Sequence, residues 1–92
     1  MGFFKKQNNM TYVEIIEKGQ ALFLREKFDE ALNYFNQAIE LEPRISSAWI
    51  GKAVILQETG NINEAIECYN RALEIEPDNV TVKQLLEELK RG

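Results

Sequence analysis

Residues 27–43, KFDEALNYFNQAIELEP, and residues 61–77, NINEAIECYNRALEIEP, are two versions of one segment set 34 positions apart. The offset pairs Ala31 with Ala65, Asn36 with Asn70, Ala38 with Ala72, Glu40 with Glu74, Glu42 with Glu76 and Pro43 with Pro77. It continues upstream, pairing Lys18 with Lys52 and Leu22 with Leu56. Chance rarely lines up so many identities at one offset. A fixed period of this length is the signature of a stacked repeat whose units each bury one face against the next.

Inside each unit the apolar residues recur at helical spacing twice, with a break between. The quoted segment of unit one carries Phe28, Ala31, Leu32, Phe35, Ala38, Ile39 and Leu41, and Pro43 ends it by removing a donor and clashing with the preceding turn. Upstream, Thr11 and Glu14 have the spacing of a capping box for a helix with Tyr12, Ile15, Ile16, Gly19, Leu22 and Phe23. Unit two repeats the plan. Ser46 or Ser47 opens a helix with Trp49, Ala53 and Leu56, which Gly60 closes. Asn61 and Glu64 predict a second capping box, for the helix through Ala65, Ile66, Tyr69, Ala72, Leu73 and Ile75. After Asp78-Asn79, Val82, Leu85, Leu86 and Leu89 make a single apolar stripe, whereas Lys83, Glu87 and Lys90 stand where a further repeat would place packing residues. This last helix reads as a lid that ends the array. The expected fold is all-α, with five helices in antiparallel pairs. Repeat one spans about 12–45, repeat two about 46–79 and the capping helix about 80–91, forming one domain over 11–91.

Composition narrows the function. The 92-residue chain has a net charge of −4 and a pI near 4.9, so no global field attracts a phosphate backbone, and nucleic acid is not an expected partner. It has no histidine, and its one cysteine, Cys68, has no partner for a disulfide or a zinc site. Glycine-rich phosphate loops, clustered calcium ligands and nucleophile–base pairs are absent from the sequence, so neither an enzyme nor a cofactor-dependent protein is expected, and no metal is expected either. No stretch approaches the ~20 apolar residues of a membrane span. The opening Met1-Gly2-Phe3-Phe4-Lys5-Lys6 does not read as a signal peptide, and a cytoplasmic location is the expectation. Residues 1–10 read as a flexible tail, with Phe3, Phe4, Lys5 and Lys6 open to three readings: docking on the domain, contact with a membrane surface, or a loose terminus.

The repeat resembles the tetratricopeptide repeat. Unit two carries that pattern through Trp49, Ala53, Leu56, Ala65, Tyr69, Ala72 and Pro77, and unit one through Ile15, Gly19, Leu22, Ala31, Phe35, Ala38 and Pro43. The departures are Lys18 and Lys52 where leucine is usual, Ile15 for tryptophan, and Glu26 at a turn that often holds glycine. The resemblance implies a tetratricopeptide-type α-solenoid whose partners lie in a concave groove lined by the first helix of each unit. The corresponding residues are Val13, Ile16, Glu17, Gln20, Phe23 and Leu24, then Ser47, Ile50, Gly51, Val54, Gln57 and Glu58. The family's carboxylate clamp would fall on Ile16, Gln20, Gly51, Thr81 and Leu85, none of which carries a positive charge, so acidic peptide termini are disfavoured. The expected activity is non-enzymatic binding of another protein or peptide, such as an amphipathic helix with basic residues facing Glu17 and Glu58. The alternative is a self-associating module that forms a homodimer through the same apolar groove or by helix exchange. Burial of Trp49 between units would make its replacement by alanine cost about 3–5 kcal/mol.

Overall fold

In a computed structural model, residues 10–92 are described, and within them the chain forms five α-helices. They are α1 (Tyr12–Leu24), α2 (Phe28–Leu41), α3 (Ser46–Glu58), α4 (Ile62–Ile75) and α5 (Val80–Arg91). Consecutive helices pack on each other, α1 on α2, α2 on α3, α3 on α4 and α4 on α5, and α1 also touches α3. The short links force each pair antiparallel. The expected tail at residues 1–9 lies outside the described residues, while Met10 packs against the first repeat.

The core falls into two clusters, one per repeat. The first gathers Ile15, Ile16, Ala31, Phe35 and Ala38 with Ala48 and Ile55 from α3. The second gathers Ala53, Leu56, Ala65, Cys68, Tyr69 and Ala72 with Val82 and Leu86 of the lid. α3 therefore feeds both clusters and buries residues on more than one face, as a central helix must. Its Ala53 and Leu56 are legible as a helical stripe, whereas Ala48 and Ile55 belong to the opposite side and pack on repeat one.

The helix ends follow their local chemistry, with two corrections. Thr11 Oγ1 accepts from the Glu14 amide at 3.2 Å while Glu14 Oε1 accepts from the Thr11 amide at 2.9 Å, the reciprocal bonds of a capping box. Asn61 and Glu64 make no such box, because the Asn61 side chain donates instead to Thr59 Oγ1 at 3.2 Å. Nor does Ser46 or Ser47 cap α3. Ile45 precedes that helix without a side-chain bond. Asn79 caps α5 by accepting from the Val82 amide at 3.0 Å.

The α1 and α3 C-termini end alike. The Gly60 amide donates to Gln57 at 3.1 Å and the Asn61 amide to Leu56 at 2.7 Å, while Glu26 and Lys27 donate to Phe23 and Leu22, both at 2.9 Å. Each is a Schellman closure with one residue in the left-handed region, Gly60 at φ +87° and Glu26 at φ +59°. Only in the second is that conformation taken by glycine.

Candidate binding groove

Phe35 determines the shape of the concave side. Its ring comes from α2 and wedges between α1 and α3 with 2% exposure. A methyl group at Gly19 would stand 3.0 Å from Phe35 Cε2, and one at Gly51 would stand 2.4 Å from Cε1. The two glycines thus clear opposite edges of one ring, and α1 and α3 close over it. The ring forms the floor of a cavity of about 210 Å³ whose walls are Gln20, Phe23, Ser47, Ile50, Gly51 and Val54.

This cavity brings together six of the residues expected along the groove, Gln20, Phe23, Ser47, Ile50, Gly51 and Val54. The others lie elsewhere. Val13 is half-exposed one helical face along from the cavity, and Glu17 and Glu58 are exposed on its flanks, one turn from Gln20 and from Val54. Ile16 is only 7% exposed and sits inside the first core cluster, which leaves it little surface to offer. Gln57 is held from behind: Tyr69, itself fully buried, donates its hydroxyl to Gln57 Oε1 at 2.9 Å. Burial, aided by the nearby Glu58 carboxylate, raises the Tyr69 pKa, so that hydroxyl keeps its proton for the bond at neutral pH. Phe23 has two roles, since its ring also meets Phe28 at 5.6 Å between centroids with a 52° tilt. Phe35 is the wall that sequence reasoning missed; the signal was the glycine on each side of it, Gly19 read only as packing and Gly51 only as groove.

Trp49 corrects another expectation. It is only partly buried, packing against the edge of the second cluster with its indole N–H donating to the Pro43 carbonyl at 2.8 Å. The Lys52 ammonium and the Arg71 guanidinium lie over its ring at 5.9 and 5.7 Å. That contact accounts for Lys52, a lysine where the pattern favours leucine. Cys68 is a buried free thiol, and burial raises its pKa, which leaves it unreactive at neutral pH.

The tetratricopeptide-repeat family model matches residues 22–89, well over half of the chain. The protein belongs to the tetratricopeptide-repeat family. An uncharacterised protein of Methanocaldococcus jannaschii is 42% identical over 53 residues, which cover 58% of this chain and 54% of that protein. Among solved structures, the first tetratricopeptide domain of RPAP3 (Spaghetti) bound to the HSP90 peptide SRMEEVD superposes with a TM-score of 0.84 at 25% identity. The first such domain of human RPAP3, solved by NMR, gives the same values, and each match covers 88% of this chain and 64% of the other. The tetratricopeptide chain described here therefore spans about half the length of the archaeal relative and less than two thirds of the solved domains. Among the described residues, no helix is long and apolar enough to cross a membrane.

Proposed function

We propose that this tetratricopeptide module binds a protein partner by taking an apolar, basic segment into the groove between α1 and α3. The observation that carries the reading is the cavity floored by Phe35 and walled by Phe23, Ile50 and Val54, with Glu17 and Glu58 exposed at its two ends. Apolar walls supply affinity by burial, and the flanking carboxylates select the sign of the partner's charge. The net charge of −4 adds long-range attraction for a basic segment. The acidic peptide held by the RPAP3 domain is of the opposite kind. Here Ile16, Gln20, Gly51, Thr81 and Leu85 offer it no cation, and Glu17 and Glu58 would repel it.

Two synthetic peptides test this by titration calorimetry: an amphipathic helix of leucine and lysine, and SRMEEVD. The first is expected to bind and the second not to. Glu17→Lys with Glu58→Lys, both exposed, should weaken the basic peptide about tenfold, one decade per ~1.4 kcal/mol, without moving the melt. Equal affinity for both peptides, or indifference to the charge reversal, would sink the reading.

A second reading is association of two copies through the same surface. Val13, 49% exposed, and Leu24, 79% exposed, extend the groove's apolar character along the stripe Val13, Glu17, Gln20, Leu24. Sedimentation equilibrium over a wide concentration range separates the two, because a constant monomer leaves the groove open to a different protein and a tight dimer fills it.

A further inference from the structure

We infer that the chain pairs with a second copy of itself through a face separate from the groove, centred on Leu41 and Trp49. A projection and a socket stand side by side there. The projection is Leu41, 59% exposed at the end of α2, with Glu40 and Glu42 on either side in the chain. The socket is a cavity of about 220 Å³ with apolar walls from Pro43, Trp49 and Ile75 and with Arg44 and Arg71 among its lining residues. Leu41 is two positions from Pro43, so their Cα atoms are at most about 7 Å apart. The socket shares no lining residue with the groove, and a dimer built here leaves the groove open.

Charge and placement make this face complementary to itself. Lys52 and Arg71 lie over the Trp49 ring at 5.9 and 5.7 Å, and Arg44 is exposed beside it. Glu74 also lines the socket, 3.8 Å from Arg71, and offsets one of these three cations, which leaves the socket positive. Glu40 is exposed and joins no ion pair among the described residues. A two-fold axis lying in the plane of contact carries each acid-flanked leucine onto the other copy's cation-rimmed socket, so the same match is made twice. An unrelated acidic partner would fill the socket and leave Leu41 bare, whereas a second copy covers both. The repeat itself shows the fit: Ile75, 34 positions after Leu41, already lines the socket from within its own chain. The patch is small and each copy carries a net charge of −4, so the pairing is weak and is felt at high local concentration.

Sedimentation equilibrium of the full chain in low salt tests this, taken up to about 1 mM, where a pair with a Kd on the order of 0.1 mM is mostly dimer. Emission from Trp49, the only tryptophan of the chain, is followed over the same series. A monomer–dimer equilibrium with nothing larger is expected, with the emission moving to shorter wavelength as the dimer forms. Leu41→Lys should weaken the dimer at least tenfold while the melt of the dilute chain holds, because Leu41 is exposed and a cation suits a helix C-terminus. Glu40→Arg and Arg44→Glu should each weaken it several-fold and together restore it. Glu17→Lys with Glu58→Lys, in the groove, should leave it in place. A chain that stays monomeric throughout, a dimer that survives Leu41→Lys, or a charge swap that restores nothing would overturn the pairing. So would a mass that grows past two copies, because that requires contact between unlike faces. A dimer lost in the groove variant and kept in Leu41→Lys would place the contact in the groove and overturn it as well.

Discussion

Glu26 occupies a left-handed conformation, φ +59°, that its counterpart Gly60 adopts without a side chain in the way. A β-carbon there costs of order 1 kcal/mol, partly offset by the extra freedom glycine has when unfolded. Glu26→Gly should therefore raise stability by about 0.5–1 kcal/mol, seen as an increase of several degrees in Tm. Gly51 predicts the opposite. Its missing methyl would stand 2.4 Å from the Phe35 ring, and a ring that retreats moves toward α1 at Gly19, the other helix that closes over it. Gly51→Ala should cost about 1–3 kcal/mol despite the better helix propensity of alanine. Gly19→Ala, whose methyl would stand 3.0 Å from the ring, should cost less than Gly51→Ala in the same denaturant series. Trp49→Ala should cost about 2–3 kcal/mol, below the upper end for a fully buried tryptophan, because the ring is only partly buried, with Lys52 and Arg71 over it. The pattern position said which residue would be aromatic; only its neighbours decided how deeply it would sit.

At the scale of elements, the helices divide by how many faces they bury. α2 and α4 show one stripe each, Ala31, Phe35 and Ala38 in the first and Ala65, Cys68, Tyr69 and Ala72 in the second, and a stripe of that kind is visible in any one-dimensional reading. α3 buries two opposed sets, Ala48 with Ile55 and Ala53 with Leu56, so its periodicity cancels and no pattern says which residues face which neighbour. α5 is an amphipathic lid whose Val82 and Leu86 complete the second cluster. Leu86→Ala should cost about 2–4 kcal/mol, because the cluster is open to water beyond that helix and has no further layer with which to refill the gap. Urea unfolding monitored by circular dichroism measures it, and a loss well under that range would mean α5 is a passenger. The caps show the same division between local and distant causes. Thr11 and Glu14 satisfy each other within one turn, so their spacing is enough to predict the bonds. Ser46 or Ser47 is expected to cap α3, yet Ile45 precedes that helix with no side-chain bond, and Ser46 lies near enough to Glu76 at the end of α4 to lower its pKa.

For the molecule as a whole, that junction gives stability a dependence on pH. Hydrogen bonds from Ser46 first and Asn79 second hold the Glu76 carboxyl below its ordinary pKa. A carboxylate with a lowered folded-state pKa contributes stability above its unfolded pKa, and that contribution is lost as pH falls through the folded value. Melting temperature should drop as pH is taken from 6 toward 3, and Glu76→Gln should lower the plateau above pH 6 slightly and flatten part of that drop, so that the two chains converge at low pH. A titration in which both chains fall in parallel would remove Glu76 from the account. The family, the two repeats, the lid and the helix count follow from the sequence by itself, because a period of 34 and stripes at helical spacing arise from contacts within a helix pair, which neighbouring residues encode. Six of the expected groove residues were legible for the same reason, as positions on the first helix of each unit. The tertiary structure alone decided that Ile16 is core, that Phe35 floors the cavity between two glycines, and that Tyr69 anchors Gln57. Each of these depends on which helix stacks against which and at what height, a relation between units that no single repeat contains.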